Sequence, residues 1–271
     1  MSSERILQTA RTAAASGAAV HRRHLRSFGA EAWAEKGRVD FVTHVDREAE
    51  AVILERIQAD FPGHAVLAEE ASTAPGATAA ATDSEWLWVV DPLDGTTNYL
   101  HGYPMYAVSI AVLQHGQPVA GVVLDTASGE EWYATRGGGA FCNGTPVRVS
   151  AIQKLEHALI GTGFPFKVQH LIPEYLVQLG AVLRATSGVR RAGAAAVDLC
   201  HVASGALDGF WELWLAPWDV AAGLLVIRVA GGIVTRMDGS DDVVGSPGPL
   251  LAGNPTIHAA LGHTLAAARR S

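Results

Sequence analysis

Residues 88–100, Trp-Val-Val-Asp-Pro-Leu-Asp-Gly-Thr-Thr-Asn-Tyr-Leu, constrain this chain more than any other stretch. The apolar run Trp88-Val89-Val90 reads as a buried strand. It ends on two carboxylates, Asp91 and Asp94, and burying like charges together is costly unless a cation sits between them. Pro92 stiffens the turn, so neither carboxylate is free to swing away. Gly95, Thr96 and Thr97 follow as a turn-and-cap cluster. Small residues that open a helix expose backbone N–H groups suited to a phosphate. A fold that accepts this stretch must therefore bring positive charge to the end of its most apolar strand.

Other acids stand at similar places. Glu69 and Glu70 close the short strand of "HAVLAEE", and Asp46 reads as the end of a short strand in "AEKGRVDFVTHVD". Asp219, in "APWDVAAG", stands where a helix begins near Trp218. For any one of these acids, capping of free helix amides is a sufficient explanation. It is a weaker one for Asp91 and Asp94 on a single tight turn. Hard divalent cations take oxygen ligands, so carboxylates without a His/Cys cluster point to Mg²⁺ or Mn²⁺ rather than zinc. Cations beside an amide cradle make a phosphoryl-transfer site.

The rest of the chain sets the frame. Its 271 residues suffice for one large domain or two closely joined subdomains. Residues 1–150 read as a meander-rich α+β unit, with strands in "YAVSIAVL", "PVAGVVLD" and "EEWYAT", and 151–271 as an alternating α/β unit. A net charge of −7 argues against nonspecific nucleic-acid binding and fits acids gathered around metal ions. Cys142 and Cys200 have no metal-like spacing. The N-terminal stretch lacks the apolar core of a signal peptide and no run is long enough to span a bilayer, so no membrane role and a cytoplasmic location are expected.

"WVVDPLDGTTNYLHGYPMYAVSIAV" and "APWDVAAGLLVIRVAGG" resemble the two signatures of the inositol monophosphatase family. "AEE", "GTGFPFK", "RRAGAAAVDLC" and "DGFWE" are similar to its bacterial SuhB-type branch, and the resemblance runs from Lys36 to the C-terminus. It implies a layered α-β-α-β-α sugar-phosphatase fold with mixed sheets, the active site lying between two subdomains. It implies that Glu69, Asp91 and the Leu93 carbonyl hold one Mg²⁺, that Asp91, Asp94 and Asp219 hold a second, and that Glu69 helps with a weaker third. Asp46 and Thr96, with Glu69, would orient and deprotonate the attacking water.

The Gly95 and Thr96 amides would take phosphate oxygens, and Asp94, Glu212 and the backbone of Gly193, Ala194 and Ala195 would meet the polyol. Lys36 would sit on a mobile loop near the metals. Lithium sensitivity and a homodimer follow from the same resemblance. Ala194 stands where a hydroxyl residue is usual, and Gly102 where many relatives carry a basic residue. Both bear on substrate choice: inositol monophosphate or a similar polyol phosphate leads, with fructose-1,6-bisphosphate, histidinol phosphate or a 3′-phosphonucleotide as rivals. Transcription factors are alternative partners, as SuhB-type relatives are associated with transcription complexes.

Remaining features have plainer readings. "RGGGAFCNG" lacks the Lys-Ser/Thr of a P-loop and reads as a hairpin. His21 and His24 lie one turn apart in an Arg-rich part of the first helix and read as a solvated face. The low-complexity segment 71–85 reads as a mobile surface loop.

Overall fold

The computed structural model describes residues 2–25, 34–35, 41–42, 44–71 and 84–269. Lys36 and residues 72–83 of the low-complexity segment lie outside them. Helix α1 (Ser3–His24) starts where Ser2 accepts the Arg5 amide, and buries Ile6, Ala10, Ala13, Ala14 and Ala18. The two-residue strands β1 (Ala34–Glu35) and β2 (Phe41–Val42) pair antiparallel ahead of helix α2 (His44–Asp60).

A seven-stranded sheet follows: β3 (Ala65–Ala68), β4 (Trp86–Asp94), β5 (Ala107–Gln114), β6 (Gln117–Asp125), β7 (Glu131–Thr135), β8 (Gly139–Cys142) and β9 (Thr145–Pro146). Only the β3–β4 pair is parallel. The glycine-rich "RGGGAFCNG" turns between β7 and β8, the hairpin expected of it. Short helix α3 (Thr96–His101) projects from the end of β4.

The second sheet has the order β11-β10-β12-β14-β13. Its strands are β10 (Leu159–Thr162), β11 (Gly188–Arg190), β12 (Gly209–Leu215), β13 (Ile233–Thr235) and β14 (Gly248–Gly253). Helices α4 (Ile172–Ala185), α5 (Ala195–Ala203), α6 (Pro217–Val229) and α7 (Pro255–Ala268) alternate with them.

Side-chain alternation along the strands builds the layers. On β4, Trp88 and Val90 pack with α1 and α2, whereas Leu87 and Val89 pack with α5 and α6. On β12, Phe210 joins that middle helix layer and Trp211 and Leu213 pack with α4 and α7. The result is the expected α-β-α-β-α stack, with two mixed sheets enclosing a helix pair.

Two expectations need correction. Asp46 does not end a strand: the chain is already helical at His44, and Asp46 lies buried in the first turn of α2. The apolar stripe of that helix reaches back to Val45, so the helix begins earlier than the spacing of Ala49, Val52 and Ile53 suggests. His21 is not solvated but fully buried. Ala14, Gly17, Ala18 and His21 recur at i, i+3, i+4 and i+7, which places the histidine on the core stripe whatever the charge of Arg22 and Arg23.

Candidate active site

The site begins at a fault in the sheet. Strand β4 pairs with β5 regularly up to Asp91↔Ser109 and resumes at Asp94↔Ala107. One extra residue is thus inserted at Pro92-Leu93, where proline offers no amide to the ladder. In an unbroken strand, residues three apart face opposite sides. The bulge turns both carboxylates to one side. The Leu93 N–H donates to Asp91 Oδ1 at 3.0 Å and holds that carboxylate.

Asp94 is held from another layer. Its two oxygens accept the amides of Ala195 at 3.2 Å and Ala196 at 2.8 Å, the first two residues of α5. Ala194 at the N-cap has no acceptor side chain, so Asp94 supplies the capping charge from across the molecule. Asp219 arrives on the first turn of α6, where Oδ2 accepts the Ala216 N–H at 2.7 Å. Ligand-capable oxygens of Asp91, Asp94 and Asp219 all lie within 4.8 Å of one another.

Burial, and then the charges of Glu69, Asp94 and Asp219, push the Asp91 carboxyl well above its ordinary range. Burial and Asp219 push Asp94 up likewise, against the pull of the Ala196 and Ala195 amides. Without positive charge these carboxyls hold their protons more tightly than they would in water. A hard divalent cation relieves that repulsion, and an all-oxygen donor set suits one.

Around the cluster, Thr96 Oγ1 lies 3.3 Å from Asp46 Oδ1 and 3.0 Å from the Leu93 carbonyl, and donates its single proton to either. Glu69 follows β3 directly, its N–H bonded to the Val90 carbonyl, and its carboxylate lies 3.8 Å from Lys167 Nζ. Gly95 adopts φ +86°, and a Cβ there would stand 2.8 Å from the Met105 carbonyl, so only glycine fits this turn.

These residues line a cavity of about 380 Å³. Its lining also contains Gly193, Ala194, Ala195 and Glu212, all expected from the sequence, so every expected site residue that is described borders the cavity except Asp46, which reaches it through Thr96. Glu212 is buried, and burial together with Asp219 drives its carboxyl well up. A side chain at Gly163 would force that carboxylate to move aside.

Several cavity residues had no role from the sequence, Asp198, Arg191 and Asn98 among them. Asp198 is buried, which pushes its carboxyl up to about 7, with Arg191 opposing. Arg191 lies over the rings of Phe164 and Phe166, 4.8 and 5.2 Å from their centroids. Asn98 bridges the Met105 and Ala192 carbonyls, tying α3 to the second sheet's side of the cavity. All three lie in stretches that carry the resemblance, Asn98 in "WVVDPLDGTTNYL" and Arg191 and Asp198 in "RRAGAAAVDLC".

Known proteins resemble this chain in sequence and fold. The sequence model of the inositol monophosphatase family matches residues 2–270. An inositol-1-monophosphatase of Mesorhizobium japonicum is 47% identical over 226 residues, covering 83% of each chain. The Nus factor SuhB of Pseudomonas aeruginosa is 44% identical over 229 residues, 84% of this chain and 83% of that one. The crystal structure of extragenic suppressor protein SuhB from Bartonella henselae superposes with a TM-score of 0.87 at 39% identity, covering 96% of this chain and 98% of that one. A family match over nearly the whole chain, relatives far above the level of chance and a common layered fold have one reading, which the acid cluster of this chain fits: the chain belongs to the inositol monophosphatase family, whose members are metal-dependent phosphatases.

Proposed function

We propose that this protein is a Mg²⁺-dependent phosphomonoesterase that hydrolyses inositol monophosphate, or a related polyol or sugar phosphate, to the alcohol and inorganic phosphate. One observation carries the reading: Asp91, Asp94 and Asp219, from two distant parts of the chain, converge within 4.8 Å beside the Gly95–Thr96 turn. A cavity so rich in carboxylates admits a phosphate ester only when cations offset their charge. Glu69, Asp91 and the Leu93 carbonyl would hold one ion, Asp91, Asp94 and Asp219 a second, and Glu69 would share in a weaker third. Mn²⁺ would substitute on the same oxygen donors. Bound there, the ions supply charge stabilisation to the phosphoryl and leaving oxygens and make water more acidic.

The chain's own residues do the rest. Asp46 takes the Thr96 hydroxyl proton in a hydrogen bond, which leaves the Thr96 lone pairs to accept from the attacking water, and Glu69 receives that water's proton. The Gly95 and Thr96 amides bind phosphate oxygens. Glu212 and Asp94 accept polyol hydroxyls, beside the backbone of Gly193, Ala194 and Ala195. Ala194 offers no hydroxyl of its own, which removes one contact worth about 0.5–1.5 kcal/mol and broadens specificity modestly. Lithium inhibition belongs to the same proposal.

The test is phosphate release from purified protein over a panel of phosphorylated polyols, sugars and nucleotides with Mg²⁺ present. Turnover of inositol phosphates above the rest supports the reading, and no release from any member of the panel defeats it. A second reading follows from the relative named Nus factor SuhB: a binding module in transcription complexes. Capture of transcription factors from lysate by a catalytically silent protein would favour it. The intact acid set favours catalysis, because a scaffold has no physical need of clustered buried carboxylates.

The proposal places the protein in the cytoplasm as a homodimer. Among the described residues no helix is long and apolar enough to cross a membrane. Leu176 and Leu183 on α4 are more than half exposed, an apolar surface for a second copy to cover. Light scattering at micromolar concentration is expected to report twice the chain mass, and a monomer would refute the dimer.

A further inference from the structure

His21, the buried histidine of α1, plays no part in the chemistry just described, yet it touches the turn on which that chemistry depends. Its Nε2 lies 2.9 Å from the Pro92 carbonyl and its Nδ1 lies 3.0 Å from Thr126 Oγ1. A carbonyl only accepts, so Nε2 carries the ring hydrogen and Nδ1 accepts from the threonine hydroxyl. The Tyr99 hydroxyl donates to the His21 carbonyl at 2.7 Å, and the rings of Tyr99 and Tyr106 stand against the imidazole. The ring is therefore fixed from α1, α3 and the end of β6 together.

The contact matters because of what lies on the other side of one peptide bond. The Pro92 carbonyl and the Leu93 N–H belong to the same rigid unit. His21 donates to the carbonyl of that unit, and the Leu93 N–H of the same unit donates to Asp91 Oδ1 at 3.0 Å. The hydrogen bonds run in one direction: Thr126 hydroxyl to His21, His21 to Pro92, Leu93 to Asp91. Each polarises the next. The bulged peptide is outside the regular β4–β5 pairing, which resumes only at Asp94, so the ladder does not set its rotation.

We propose that His21 is a positioning residue for the acid turn, fixing the Pro92–Leu93 peptide and through it the Asp91 carboxylate to which a divalent cation binds. The inference rests on the metal reading under Proposed function. Loss of the donor frees the peptide to rotate, and Asp91 then meets the cation in a spread of orientations. Groups that orient a metal ligand from behind typically change affinity by about tenfold or more when removed.

The experiment measures Mn²⁺ binding to the metal-free protein by calorimetry, beside its thermal midpoint in the absence of metal. His21→Leu fills the space without a donor and is expected to weaken Mn²⁺ about tenfold. His21→Gln restores an N–H donor and is expected to recover most of that loss. A role in packing alone would lower the thermal midpoint of both variants and leave the dissociation constant unchanged, which overturns the proposal. Should His21→Leu fail to fold, Thr126→Val keeps the ring and removes only the hydroxyl that orients it. A severalfold loss of Mn²⁺ affinity there supports the clamp, and wild-type affinity overturns it. Wild-type protein that binds no Mn²⁺ refutes the metal reading itself and the clamp with it, whereas normal wild-type binding with an indifferent variant refutes the clamp alone.

Discussion

Asp219 does two jobs at the residue scale, and they can be separated. One oxygen accepts the Ala216 amide as a helix cap, while the carboxylate also stands in the cluster with Asp91 and Asp94. Asparagine at this N3 position keeps an acceptor oxygen for the Ala216 amide. Asp219→Asn is therefore expected to keep the metal-free thermal midpoint or raise it, since it removes a charge that repels Asp91 and Asp94. Turnover with saturating Mg²⁺ should fall about a thousandfold, on the order of 4 kcal/mol of transition-state stabilisation. Near-normal turnover would reduce Asp219 to its capping role.

His21 carries the pH prediction. Burial lowers its imidazole from 6.5 to about 4, so the unfolded chain takes up a proton that the folded chain refuses. Stability is then complete above pH 6.5 and declines as pH falls toward about 4, by up to about 3 kcal/mol. Asp91, Asp94 and Glu212, raised by burial, contribute with the opposite sign. The difference in melting temperature between wild type and His21→Gln across this window isolates the histidine. A difference that does not vary with pH would show that His21 titrates normally.

At the scale of elements, the turn from β4 into α3 is where local sequence and tertiary packing meet. Gly95 is in the left-handed region and its missing side chain faces the Met105 carbonyl. Gly95→Ala is expected to cost about 1–3 kcal/mol of folding stability, read by denaturant titration. It should also displace the two amides proposed to take phosphate, so phosphate-release activity should fall by more than the lost folded fraction explains. A variant as stable and active as wild type would place the phosphate elsewhere. The helix starting at Ala195 depends on the same region, because Asp94 caps it where Ala194 cannot. Metal site and helix start thus share one carboxylate.

For the whole molecule, the acids gathered from the first sheet and from α6 make cation binding a contribution to folding. A cation that binds only the folded chain stabilises it by about 2.7 kcal/mol at a hundredfold its dissociation constant. Mg²⁺ is therefore expected to raise the thermal midpoint, and chelator to reverse the rise and abolish phosphate release together. Robust release in excess EDTA would refute the metal reading.

Much of this was legible before the fold. The hydrophobic runs and turn residues locate β4 to β7 and the later helices. The sequence reads the strand as ending on a tight turn at Pro92, whereas β4 continues through a bulge there to Asp94, because pairing with β5 resumes beyond the residue that offers no amide. Two similar signatures were enough to expect the layered stack. Composition and periodicity could not place Asp219 beside Asp94, because only the packing of α6 between the sheets joins residues so far apart in the chain. The periodicity of α1 does put His21 on its core stripe, but which groups the buried ring meets there, Thr126 and the Pro92 carbonyl, depends on what packs against that stripe. The sequence by itself determined which elements form and which chemistry they carry. The tertiary structure decided which side chains meet and which buried groups hold them there, because those contacts are made between layers.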